Sequence, residues 1–186
     1  MNETLKTIET RYACRSFKPD MPSSEDLNVI ANAAIESPSG MNLQNWKIIV
    51  VKNKKLIDDI EEEAMNILKN MEDNSAYERI MSRGGKVYYN APCMIIVTID
   101  TAEKSFQEMN CGIVCENIAL AATSLGLGNV ICAMVGIPLG GDRGEEFKER
   151  LKFEKGHEFG IAVLIGYAKN EGKPHKPDTS KISFIE

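Results

Sequence analysis

Apolar residues recur along the chain in two ways, at helical spacing and in short unbroken runs, and the two alternate from end to end. "ETLKTIET" predicts a short first helix with Leu5 and Ile8 turned inward. "SSEDLNVIANAAIE" predicts a second. Ser23 caps it, Asp26 follows three residues on as an acidic variant of the capping box, and Leu27, Ile30, Ala31, Ala34 and Ile35 form the stripe. "KKLIDDIEEEAMNILKNM" is amphipathic, with Ile57, Ile60, Ala64, Ile67 and Met71 on one side and a solvated acidic face on the other. "FQEMNCGIVCENIALAATSLG" predicts a long helix over 107–125, ended by Gly126, and "GEEFKERL" a short one with Phe147 and Leu151 inward. Strands are predicted at "WKIIVVK", "APCMIIVTI", "NVICAM" and "FGIAVLIGY". The second and fourth are continuous apolar runs suited to burial on both faces. "ISFI" could form a terminal strand after the tail loop "KNEGKPHKPDTSK", and residues 73–89 read as helix plus loop with a break at "RGG".

Helices and strands are interspersed, with no composition break and no repeat. The expectation is one α+β domain over residues 1–186, with a central mixed sheet of four to five strands flanked by helices on both faces. The 107–125 helix is apolar or small nearly all round, through Cys111, Gly112, Ile113, Val114, Cys115, Ile118, Ala119, Leu120, Ala121 and Ala122. Such a helix needs two partners, the sheet and something else, and a second subunit would serve.

Composition narrows the function classes. With 186 residues, 43% hydrophobic and 26% charged, the chain is an ordinary globular protein of one-domain length. A net charge of -5 without a basic block argues against non-specific nucleic-acid binding. No apolar run approaches the ~20 residues of a membrane span. The N-terminus lacks the apolar core of a signal peptide, so a cytoplasmic address is expected. Cys14, Cys93, Cys111, Cys115 and Cys132 are odd in number and scattered, against a disulfide framework. Cys111 and Cys115 share a helix face but have no further Cys or His nearby, so buried reduced thiols are expected and no metal site.

Candidate chemistry lies in three places. In "RYACRSF", Arg11 and Arg15 are four apart and would converge in a helix or tight turn; they suit an anion or are surface arginines. "GKPHKP" adds Lys173, His175 and Lys176, either a solvated tail or, if it meets the first cluster, a phosphate clamp. In "SPSGMNLQNW", Asn42, Gln44 and Trp46 alternate, which would put them on one face of an extended segment. Two carboxamides suit a heteroaromatic edge of carbonyls and ring nitrogens, such as the pyrimidine end of a flavin, while Trp46 fits core packing better than stacking. No dinucleotide fingerprint, P-loop or nucleophile elbow occurs, and both histidines, His157 and His175, stand in polar, loop-like contexts. An enzyme so poor in acid–base groups would let a cofactor carry the chemistry.

In order and spacing, "RYACRSF", "SPSGMNLQNW", "LAATSLGLGN", "GIAVLIGYAKN" and the basic tail make the whole chain similar to the nitroreductase family of FMN-dependent flavoproteins. The resemblance implies a nitroreductase-like sandwich, an intertwined homodimer with shared flavin sites, and NAD(P)H as electron donor. It implies hydride transfer through the flavin, in ping-pong fashion, to an electron-poor acceptor such as a nitroaromatic or quinone. The alternatives are a flavin-binding, storage or sensing module without turnover, and a specialised reductive enzyme of the same family such as a dehalogenase. The N-terminal motif with Arg11, Tyr12, Ala13 and Arg15 would bind cofactor. Arg11 would sit on its phosphate, and Arg15 would tune the isoalloxazine from its pyrimidine end. Pro38, Ser39, Gly40, Asn42 and Gln44 match the flavin-contacting turn, part of which comes from the partner chain in relatives. Ile131, Cys132, Ala133 and Met134 match a segment along the flavin, and Lys173, His175 and Lys176 match basic positions on the phosphate. Two positions depart: Ala13 replaces a frequent Ser, and His175 a frequent Arg. Lys86 is a further possible flavin contact within 73–89, where relatives differ most.

Overall fold

The computed structural model describes residues 1–103 and 105–186. Capping sets the helix starts. Asn2 opens α1 (Glu3–Thr10), accepting from the Leu5 amide. Ser23 opens α2 (Ser24–Ile35), accepting from the Asp26 amide at 2.9 Å as the expected cap, while its hydroxyl donates to the Asp26 carboxylate at 2.7 Å in place of the backbone bond that would complete a capping box. Asn53 opens α3 (Lys54–Asn70) in the same way. The chain continues through β1 (Trp46–Val51), α4 (Ser75–Met81), β2 (Cys93–Asp100), α5 (Gln107–Ser124), β3 (Gly128–Ile131), α6 (Gly136–Leu139), α7 (Gly144–Arg150) and β4 (His157–Gly166). Gly126 stops α5 in the left-handed region, at φ +73°.

The four strands stand in the order β1-β2-β4-β3 and pair antiparallel throughout. The expected mixed sheet is thereby corrected. Between β1 and β2 the chain goes out along α3 and returns, so the start of β2 lies beside the end of β1, with Met94 opposite Val51. The single parallel contact among the described residues is the bridge from Ala13 to Asn129 on the β3 edge.

Both faces of the sheet are covered. Met94, Ile96, Ala162 and Leu164 pack under α3, α6 and α7, against Ile57, Ile60, Leu139 and Phe147. Cys93, Ile95, Val97, Val163 and Ile165 point the other way, onto Leu27 and Ile30 of α2 and Val114, Cys115 and Ile118 of α5. This period-two division is what the two continuous apolar runs require. Each fully buried aliphatic side chain contributes roughly 1.5–3 kcal/mol.

Several local expectations change. α1 buries none of its residues, and Leu5 and Ile8 are half exposed. Ile35 and Met71 are also exposed; α3 ends at Asn70, and Leu68 takes the inward place. Ile118 lies in the core of the chain itself, so the outer side of α5 is marked by Met109, 51% exposed. His157 is the first residue of β4, not a loop residue, and its Nδ1 lies 2.9 Å from the Thr98 hydroxyl. "ISFI" forms no strand, and Phe184 is 88% exposed. The thiols are free; four are buried and Cys111 is partly so. Burial pushes Cys93 and Cys115 up to about 12, so neither ionises at neutral pH. Among the described residues no helix is long and apolar enough to cross a membrane, and no three metal-ligating side chains group together.

Candidate functional site

The amino-terminal motif is held by backbone pairing. Helix α1 ends at Thr10, and the chain runs on extended along the edge of β3, where the Cys14 amide donates to the Asn129 carbonyl at 2.8 Å. Arg11 and Arg15 are therefore carried on extended backbone, at a rise of about 3.3 Å per residue, and not on the helix or tight turn that would bring them together. Further on, Phe17 bridges to Ala168, the Lys18 amide donates to the Tyr167 carbonyl at 2.8 Å, and the Lys169 amide to the Ser16 carbonyl at 2.9 Å. Gly172 then packs so closely on the Tyr12 ring that a Cβ there would collide with it. The two basic segments, distant in sequence, thus run side by side where the tail begins. Lys173, His175 and Lys176 themselves are exposed.

Arg15 opens onto a cleft of about 330 Å³. Its other walls come from α4 and the turn behind it, through Arg79, Ile80 and Arg83, from the turn segment before β2 with Lys86, Val87 and Tyr89, and from Met134 after β3. That segment is fixed from below. Glu61, buried on α3, accepts from the Tyr88 amide at 2.6 Å and from Lys86 Nζ at 3.2 Å. A buried carboxylate is tolerable only with such partners. Gly84 and Gly85 take positive φ, and so do Tyr89 and Asn90, which bend the chain into β2. The Tyr88 hydroxyl is buried without a partner among the described residues. Burial, with smaller effects from Cys132 and Glu61, pushes its pKa well above the usual phenol.

The segment after β3 alternates. Ile131 is exposed and lines a separate apolar groove with Cys111, Cys115 and Ile161. Cys132 points into the core, its amide donating to the Ala162 carbonyl at 2.8 Å, while Ala133 is exposed. Only Met134 of the four reaches the cleft.

The turn at 38–44 is not an extended face. Gly40–Asn42 form a 3-10 turn, and Met41, Asn42 and Gln44 take φ of 55°, 55° and 47°. Gln44 donates to the Asn42 carboxamide at 2.8 Å, so the two side chains meet each other. The turn docks on the start of α5: the Gly40 amide donates to Asn110 Oδ1 at 3.1 Å, and Phe106 fills the space a Cβ on Gly40 would need. Ser39 braces it, accepting from the Gln44 amide at 3.0 Å. Pro38, Asn42 and Gln44 are exposed, and none of residues 38–44 lines the cleft of its own chain. Trp46 is buried beside Leu27 and Ile30, as its strand-start position suggested.

Of the sequence candidates, then, Arg15, Lys86 and Met134 share one cleft, and Tyr12 meets the start of the tail at Gly172. Arg79 and Arg83 were missed. Their signal was present as two arginines four apart just before a Gly-Gly break, inside a segment with no clear period.

A model described as the nitroreductase family matches residues 8–167. A nitroreductase with bound FMN from Desulfitobacterium hafniense DCB-2 superimposes with a TM-score of 0.97 at 52% identity, covering 100% of both chains. A nitroreductase with bound FMN from Bacteroides fragilis NCTC 9343 does so with a TM-score of 0.90 at 26% identity, again over 100% of both. A protein of Archaeoglobus fulgidus, provisionally named NADH dehydrogenase/NAD(P)H nitroreductase, is 29% identical over 182 residues, 96% of this chain and 92% of that one.

Proposed function

The chain belongs to the nitroreductase family, and from that premise we propose that it is an FMN-dependent oxidoreductase taking electrons from NAD(P)H. The acceptor is an electron-poor molecule such as a nitroaromatic or a quinone. The observation that carries the reading is the cleft, which sets Arg15 beside Met134 and an aromatic and aliphatic wall, at the end of the segment that pairs with the basic tail.

The donor set fits the cofactor. Cations and carboxamides suit a flavin's pyrimidine edge, and a single basic stretch beside Tyr12 suits one terminal phosphate. When bound, FMN supplies the two-electron relay between donor and acceptor. Arg15 holds a positive charge in the cleft and so favours an anionic over a neutral ring system. Arg11, Lys173, His175 and Lys176 hold the phosphate, with the tail aligned by Gly172 on Tyr12. Tyr12 and Ala13 flank the cofactor from the same strand, and Ile131–Met134 present backbone groups to it. Pro38, Ser39, Gly40, Asn42 and Gln44 close the site from a second copy, which accounts for the exposure of Pro38, Asn42 and Gln44 in a single chain. The working unit is therefore a homodimer with two shared sites, and its NAD(P)H supply places it in the cytoplasm. No histidine lines the cleft, and the scheme needs no general base from the protein.

The test is spectroscopic. Purified protein should release FMN on denaturation, and NAD(P)H added without oxygen should bleach the bound flavin, with colour restored by a quinone. Release of FAD, no flavin uptake, or a flavin that stays oxidised overturns the reading.

A further inference from the structure

The cleft carries more positive charge than a flavin site needs. The whole chain has 27 acidic against 22 basic side chains, yet among the described residues the cleft is lined by four cations, Arg15, Arg79, Arg83 and Lys86, and by no carboxylate. Lys86 is engaged with Glu61. Among the described residues Arg15, Arg79 and Arg83 enter no ion pair. Nor do these two arginines hold the fold: Arg79 lies on α4, which buries none of its residues, Arg83 lies in the turn just beyond it, and both are exposed. The Arg83 amide bonds back to the Ile80 carbonyl at 3.0 Å, which carries the chain one turn past the helix, and both arginines line the cleft.

The rest of the lining is apolar or aromatic, through Ile80, Val87, Met134 and the Tyr89 ring. A cationic rim over an aromatic and aliphatic wall matches a flat ring that carries an acid group. Guanidiniums pair with carboxylates through two parallel hydrogen bonds, which a lysine cannot reproduce. A concave site of one sign also concentrates the oppositely charged ligand, and salt weakens the effect.

We propose that this cleft selects an electron-poor aromatic carboxylate as the acceptor, with Arg79 and Arg83 as its specificity-determining residues. The inference rests on the reading that an acceptor enters beside FMN in this cleft.

The FMN-loaded protein, without any electron donor, is titrated with 4-nitrobenzoate and with its neutral analogue 4-nitrobenzamide, following the flavin absorbance. The acid should bind at least tenfold more tightly at low salt, and the gap should narrow as salt rises. The double variant Arg79→Gln/Arg83→Gln should close the gap, and Arg79→Lys/Arg83→Lys should restore part of it. Equal affinities in the parent, or an undiminished gap in the Gln variant, overturn the inference. So does a Gln variant that keeps the gap and loses only a preference for NADPH over NADH, since the cations would then serve the donor's extra phosphate. Selective binding without bleaching by NAD(P)H would overturn the oxidoreductase reading and, with it, the acceptor role given to the bound acid; bleaching without selectivity would overturn this inference alone. A chain that takes up no FMN defeats both.

Discussion

Arg11 and Arg15 are four residues apart, and because α1 stops at Thr10 the chain between them is extended along β3 rather than helical. Arg11→Ala should weaken FMN binding by about one to two decades, the loss of a charge-assisted hydrogen bond worth roughly 1.5–3 kcal/mol. Arg15→Ala should instead lower the reduction potential of the bound flavin. Titration of apo-protein with FMN and a dye-referenced potential separate the two. Normal values for both variants would show that the amino-terminal motif has been misread. Glu61 was read in the sequence as part of a solvated acidic face, yet it is buried. A single-residue reading could not see this, because its partners, Tyr88 and Lys86, lie beyond a helix and a Gly-Gly turn. Glu61→Ala leaves the buried Tyr88 amide without its acceptor, at a cost of about 1–3 kcal/mol. Thermal unfolding should fall by several degrees, and an unchanged midpoint would show that water or a backbone shift replaces the carboxylate.

Elements whose signal is local were legible. Ser23 and Asp26 mark the start of α2, and the apolar runs form strands buried on both faces over 93–98 and 162–166. Strand direction was not legible, since it depends on where the long α3–α4 excursion returns the chain. The inward stripe of α1 failed for a similar reason: periodicity shows that a face is apolar, not what covers it. Between elements, Asp59 of α3 accepts from Arg150 of α7 at 2.6 Å. That hydrogen bond, then one from Lys55, holds the Asp59 carboxyl below the usual carboxylate range. A depressed folded-state pKa stabilises above the unfolded value of about 3.9 and is lost as pH falls through the folded one. Asp59→Asn should therefore be less stable than the parent at neutral pH, with the difference vanishing in acid. A difference independent of pH would assign the effect to packing.

At the scale of the molecule, the cleft joins the amino-terminal strand, the 79–89 segment and Met134, and no window of sequence contains that combination. The resemblance located Arg15 and Met134, but the α4 arginines lay where relatives diverge. The exposed turn at 38–44, the bare side of α1 and Met109 on α5 lead to the assembly prediction. Ile8→Asp/Met109→Asp places charge on residues half exposed in one chain, so the fold should persist while the dimer and its FMN are lost together. Sedimentation and flavin content measure both, and a flavin-loaded dimer would refute the placement of the interface. The Glu61 anchor has a further bearing on how such a protein changes over time. Lys86 and Tyr88 are moored to α3, so the stretch from Asp73 to Gly85 runs from the end of α3 to a fixed point of return. Its exposed side chains, Arg79 and Arg83 among them, could then be replaced while the floor beneath stays in register. A new acceptor would then be a matter of a dozen replaceable positions rather than of a new protein.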